Sequence, residues 1–312
     1  MTIVCGTDFS KNGAEAAGVA ARIAAVSGTD LLLLHVFELG GAETVLLADP
    51  AEPSGPVRAF LDDEAVRLRK RLQDEAQRLA VYGAKVHTEL INGVVDEAVV
   101  RRAERANAEL VVVGALGRRT AGSWALGSHA DRVAQTSKRP VLVVRDGAAF
   151  DAWLTKREPL RVLVAMDGSA TSDAAVAWSL KLCAFGACEL TAVHVYWPPA
   201  QGERTAVRGN DAREAALSGR AHADVEAQLT AALRARCASL PGAERVRLRV
   251  VGGLGRPADH IVQIASEEKV HLTVVGNHQR KGLSRVWHGS VSRGVIDLAA
   301  CSVACVPTTT AS

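Results

Sequence analysis

Leu110–Ser128, reading LVVVGALGRRTAGSWALGS, is the stretch from which the fold follows. Its first four residues, Leu110 to Val113, are apolar and end in Gly114-Ala115-Leu116-Gly117; nine residues later the chain reads Gly127-Ser128. A short apolar run bounded by glycine predicts a strand buried on both faces. Glycine has no Cβ to hold a ligand away from the backbone, and re-entry at Gly-Ser predicts a helix start whose N–H groups face outward. Strand, bare loop and helix N-terminus in succession form an anion cradle. The second half repeats the pattern: Leu272 to Val275, then Gly276-Asn277-His278-Gln279, nine residues, and Gly289-Ser290. There Gln279 stands where the second glycine belongs, so a side chain intrudes and the backbone loses easy access to positive φ.

Other landmarks recur with the loop. Asp8 and Asp167, and His35 and His194, lie 159 residues apart; Gly93 and Gly255, Gly114 and Gly276, and Gly127 and Gly289 lie 162 apart. This is a tandem duplication rather than a short-period solenoid. The first copy predicts strands at Ile3 to Gly6, Asp30 to Phe37, Lys85 to Ile91, Glu109 to Gly114 and Pro140 to Arg145. Helical patterns lie between them at Lys11 to Val26, Arg58 to Tyr82, Val95 to Ala106 and Ser128 to Thr136. The second copy predicts strands at Arg161 to Met166, Glu189 to Tyr196, Arg245 to Val251, His271 to Gly276 and Ser302 to Pro307. Strict alternation of strand and helix predicts an α/β class: two tandem, open, doubly wound parallel-sheet domains of Rossmann-like type, five strands each in the order 3-2-1-4-5. The expected units are residues 1–146 and 160–312, with 147–159 as a linker on which Trp153 and Leu154 pack against a domain. Two longer loops, Glu38 to Pro56 and Trp197 to Asn210, suit lids or partner contacts as well as they suit unstructured chain.

Asp8 ends the first strand and Gly114 the fourth, and in this strand order those strands flank the switch point where ligands bind. The acidic residue and the glycine loop are expected to share one crevice. Val141-Leu142-Val143-Val144 and Ser302 to Pro307 end their copies at sheet edges, and such apolar edges invite pairing. The two copies are therefore expected to pair in cis through these strands, with homodimerisation a secondary possibility.

Composition narrows the function. Hydrophobic content of 48%, charged content of 23% and a net charge of +3 fit a globular protein and give no electrostatic reason for a nucleic-acid partner. The N-terminus has no basic n-region and no apolar run approaches about 18 residues, so neither a signal peptide nor a membrane span is expected, and the reading is cytoplasmic. The six cysteines, one in the first half and five in the second, do not form a disulfide framework and read as reduced, buried small hydrophobes. Cys301 and Cys305, on one face of a strand, would lie about 13 Å apart, beyond the ~7 Å reach of a disulfide. His35 and His194 read as packed, hydrogen-bonded strand residues before ligands.

Along nearly its whole length the chain resembles the universal stress protein family in tandem form. The resemblance is carried by Val4-Cys5-Gly6-Thr7-Asp8-Phe9-Ser10 and Val164-Ala165-Met166-Asp167-Gly168-Ser169, by His35-Val36 and His194-Val195, and by Gly93 and Gly255-Arg256-Pro257. The Gly-x-x-Gly-x9-Gly-Ser signature and the final strand Pro140 to Val144 complete it. It implies binding of ATP or a related adenine nucleotide, with a divalent cation such as Mg or Mn. By the same resemblance Asp8 lies at the adenosine end, the Val36 backbone reads adenine, and Gly114 and Gly117 admit ribose and phosphates. Gly127, Ser128 and the N–H of His129 hold the phosphates, Ser128 also being able to cap its helix. Arg118, Arg119, Arg280, Lys281 and Arg285 either neutralise phosphate or form a solvated face. In the second copy Gln279, and His271 in place of the family's acidic residue (Glu109 in the first), put binding in doubt.

Three functions compete: a nucleotide-binding regulator of the stress response, a slow ATPase or nucleotidyl-transfer enzyme, and a structural interaction protein. No Walker lysine, Gly-x-Gly-x-x-Gly or nucleophile–base pair favours the enzyme, and no protein partner is named by the sequence.

Overall fold

The computed structural model describes residues 2–38, 55–116, 127–197, 219–277 and 290–308. Gly117, the five basic loop residues Arg118, Arg119, Arg280, Lys281 and Arg285, Gln279, Gly289 and most of the two long loops lie outside the described residues. In the first repeat the order is β1 (Thr2–Gly6), α1 (Lys11–Ser27), β2 (Asp30–Phe37), α2 (Gly55–Ala80), β3 (Val86–Asn92), α3 (Val95–Arg105), β4 (Leu110–Gly114), α4 (Ser128–Thr136) and β5 (Val141–Val144). After α5 (Ala148–Leu154) the second repeat follows as β6 (Leu160–Ala165), α6 (Ala170–Leu182), β7 (Cys188–Tyr196), α7 (Gly219–Cys237), β8 (Val246–Gly252), α8 (Pro257–Glu267), β9 (Leu272–Asn277), α9 (Ser290–Leu298) and β10 (Ser302–Pro307).

All ten strands join one sheet in the order β3-β2-β1-β4-β5-β10-β9-β6-β7-β8. Each half has the order 3-2-1-4-5 that strand–helix alternation predicts, and every pairing within a half is parallel. The halves meet at an antiparallel junction, where Val303 faces Val143, Ala304 faces Leu142 and Cys305 faces Val141. The cis pairing expected of the two terminal strands is thus present, and it covers both apolar edges.

Alternate residues of each strand feed two apolar layers. Cys5, Leu33, Val112, Leu142 and Ala304 pack under α1, α2, α5, α6 and α7. Val4, Leu34, Val111, Val143 and Val303 pack under α3, α4, α8 and α9. Period-2 alternation with both faces apolar is what a sheet covered on both sides requires.

In the segment between the repeats Trp153 and Leu154 pack as expected, and a helix that the sequence period does not show is present. This helix is α5, seven residues long, whose Phe150 and Trp153 are 0% and 1% exposed, with Leu154 half-buried beside them. Arg22 of α1 holds it through a 2.8 Å ion pair to Asp151. The Trp153 Nε1 is buried with no hydrogen-bond partner among the described residues, pressed against the Gly186 backbone so closely that a Cβ there would sit 2.5 Å away. Two turns are too short for periodicity to reveal a helix, so a packed element reads as a linker.

Candidate functional site

The crevice begins in the turn after β1. Asp8 Oδ1 accepts the Ser10 N–H at 2.9 Å, and the Ser10 hydroxyl accepts the Gly13 N–H at 3.1 Å as the N-cap of α1. Between them Phe9 takes φ +60°, and the equivalent Gly168 takes φ +79°. This left-handed step turns the chain from strand into helix. His35 donates its Nδ1–H to the Thr7 carbonyl at 2.6 Å and stacks on Phe9 with ring centroids 4.5 Å apart; His194 likewise donates to the Met166 carbonyl at 2.7 Å. Both histidines tie the second strand of their repeat to the turn after the first.

Gly114 approaches this turn closely. A Cβ on it would lie 2.8 Å from the Asn12 carbonyl oxygen and 3.1 Å from the Gly13 nitrogen, and a Cβ on Gly13 would lie 2.7 Å from Asp8 Oδ1. Two bare glycines are what let the ends of β1 and β4 close on each other around Asp8. Gly276 makes the same approach to Thr171, where a Cβ would lie 2.9 Å from the carbonyl oxygen. Val36 sits one strand away, where the β1–β2 ladder has ended at Gly6 and Leu34 but pairing with β3 continues to Phe37. Its backbone on the β1 side lies at the crevice mouth.

The glycine loop leaves β4 and returns at one point, because the Gly127 N–H donates to the Ala115 carbonyl at 2.8 Å. Gly127, with φ −67° and ψ 136°, is the N-cap of α4, so Ser128 is its first helical residue. The capping expected of Ser128 is therefore corrected: an extended backbone at Gly127 moves the cap one residue earlier, and Ser128 is exposed. The first amides of α4, those of Ser128 and His129 included, have no carbonyl within the helix to serve.

One feature went unread in the sequence. Asp96, buried in the first turn of α3, faces His129 Nδ1 at 3.2 Å and Arg132 Nη1 at 3.6 Å, fixing the imidazole at the N-terminus of α4. Residues 162 further on, the second repeat has Ala258, Val291 and Gly294 in place of Asp96, His129 and Arg132. Comparing the copies position by position would have exposed this. Among the described residues no cluster of His, Cys, Asp or Glu could hold a metal ion, and no helix is long and apolar enough to cross a membrane.

In the second repeat the residue after the strand glycine has another task. Asn277, where the first repeat has Ala115, is buried and donates Nδ2–H to the Ala134 and Gln135 carbonyls at 2.8 and 3.3 Å. Those carbonyls belong to the last turn of α4, which lacks intrahelical donors. Across the junction Arg145 Nη2 donates to the Ile296 carbonyl of α9 at 2.8 Å. Replacing Asn277 by alanine strands a buried acceptor and is expected to cost about 1–3 kcal/mol, readable by denaturant titration. A change within error would show that water takes over the carbonyls.

The comparisons with known proteins follow the same division. A model of the universal stress protein family matches residues 1–145 and again 160–307. A universal stress protein of Mycobacterium tuberculosis is 28% identical over 307 residues, covering 95% of this chain and 94% of its own. One from Methanocaldococcus jannaschii is 32% identical over 144 residues, 46% of this chain and 81% of that protein. The crystal structure of a universal stress protein from Archaeoglobus fulgidus has the same fold, with a TM-score of 0.68, 19% identity and 98% of each chain covered. Doubly matched, and built on one sheet from two copies of a single unit, the chain belongs to the universal stress protein family.

Proposed function

We propose that the first repeat, residues 1–146, binds one adenine nucleotide, ATP, as a regulatory module of the stress response, and that the second repeat does not bind it. The observation that carries this reading is the closure between the Gly127 N–H and the Ala115 carbonyl, which sets the first amides of α4, without carbonyls of their own helix to serve, at the end of β4 beside the Asp8 crevice. Amides at a helix N-terminus attract phosphate through both their hydrogens and the helix dipole. Asp8 and the Val36 backbone then face the nucleoside, while Gly114, Gly117, Gly127, Ser128 and His129 line the path of the phosphates. A Mg or Mn ion would travel with ATP and offset the charge of its phosphates. Loss of the Asp96, His129 and Arg132 set in the second repeat, together with Gln279, supports a single site.

Calorimetric titration of the full chain with ATP and Mg is expected to saturate at one nucleotide per chain. Gly117→Gln, which gives the first loop the side chain of the second, is expected to weaken binding at least tenfold with the circular dichroism spectrum unchanged. Two equal sites, no binding, or an unaffected variant would each overturn the assignment.

A further inference from the structure

Cys183 closes α6 and Cys188 opens β7, at the end of the sheet opposite the Asp8 crevice. The two thiols lie near enough to shift one another's ionisation. Both are half-exposed, as is Cys301, whereas Cys5, Cys237 and Cys305 are buried. The two line one cavity of about 420 Å³ with Leu180, Pro241 and Arg245. The turn between them is held in place: Ala184 and Phe185 donate to the Lys181 and Leu182 carbonyls at 3.1 and 3.0 Å, and Gly186 lies against the Trp153 indole. Cys188 Sγ also donates to the Gly186 carbonyl at 3.6 Å. The first repeat has Ala24 and Thr29 at the corresponding positions, so the fold does not itself require thiols there.

We propose that Cys183 and Cys188 form a reactive dithiol that hydrogen peroxide converts to an intrachain disulfide. The Cys188 thiol beside it and the nearby Arg245 guanidinium pull the Cys183 thiol below its usual range, while the same contact and burial push Cys188 up. That makes Cys183 the more readily ionised thiol and the attacking sulfur. Its sulfur attacks one peroxide oxygen, the O–O bond breaks, and Cys183 becomes a sulfenic acid as the other oxygen leaves with a proton as water. Cys188 sulfur then attacks the sulfenic sulfur; the S–O bond breaks and the hydroxide departs as a second water with the Cys188 proton. Two thiols and one peroxide give one disulfide and two waters. Closing the pair brings the two sulfurs to an S–S length of about 2.05 Å across the cavity that both line. The other cysteines are poor competitors, for burial pushes Cys305 up to about 12 and raises Cys5, Cys237 and Cys301 as well.

The test treats the full-length native chain with a small excess of hydrogen peroxide, alkylates it, and maps the peptides by mass spectrometry. The expected product is a monomer lighter by two hydrogens, with Cys183 joined to Cys188, the other four cysteines alkylated after denaturation, and full reversal by dithiothreitol. In Cys188→Ser, Cys183 is expected to be trapped as a sulfenic acid by dimedone, and in Cys183→Ser Cys188 is expected to stay reduced. A disulfide elsewhere, a crosslink between chains, or sulfinic acid on Cys183 of the native chain with Cys188 still free would overturn the proposal.

Discussion

Trp153→Ala is expected to lower the unfolding free energy by about 3–5 kcal/mol, a large share of the 5–15 kcal/mol that holds a typical fold. The indole is 1% exposed, meets Phe150 edge-on at 6.4 Å and seals the Gly186 turn, so its removal leaves a cavity where α5 joins the two repeats. The partner control is Trp153→Phe. It keeps an aromatic ring but removes a buried N–H that has no hydrogen-bond partner among the described residues to offset its desolvation. Its cost is expected to be less than half that of the alanine variant. Denaturant unfolding curves decide the matter, and a loss below about 1 kcal/mol for Trp153→Ala would mean that α5 is not part of the cooperative core.

The second expectation separates the two glycine sites. Gly114→Ala places a Cβ 2.8 Å from the Asn12 carbonyl oxygen, and Gly276→Ala places one 2.9 Å from that of Thr171; both neighbours are backbone in the first turn of a helix. Neither can rotate away, so each variant is expected to lose about 1–3 kcal/mol of stability. Restricting the unfolded chain returns less than that, about 0.4–1 kcal/mol. Their effects on ATP should differ. Displacing Asn12 and Gly13 carries Asp8 with them, so Gly114→Ala is expected to weaken ATP binding at least tenfold, the equivalent of about 1.4 kcal/mol. Gly276→Ala should leave affinity unchanged. Equal losses in both variants, measured well below their unfolding temperatures, would contradict a single site in the first repeat.

The residues themselves account for much of this architecture. Period-2 apolar strands alternating with amphipathic stretches dictate a covered parallel sheet, and a repeat spacing of about half the chain dictates two copies of it. Asp8 and Gly114 could be placed in one crevice because the strand order follows from general rules for crossover connections. Apolar terminal strands predicted a junction for the same reason: an unpaired edge is a liability wherever it lies.

Contacts between particular side chains were a different matter. Asn277 serving the end of α4, 143 residues earlier at Ala134, leaves no periodic trace in the sequence, and Asp96 looks like any acidic residue in the first turn of a helix until His129 is brought beside it. The Gly127 cap depends on one ψ angle of 136°. Cys183 and Cys188 read as small buried hydrophobes, whereas the turn between α6 and β7 makes them neighbours. Sequence determines which face of an element is apolar, because burial of that face repeats with the element's own period. It leaves to the tertiary structure every specificity that rests on two groups distant along the chain meeting at a hydrogen-bond length, since that distance is set by how whole elements dock.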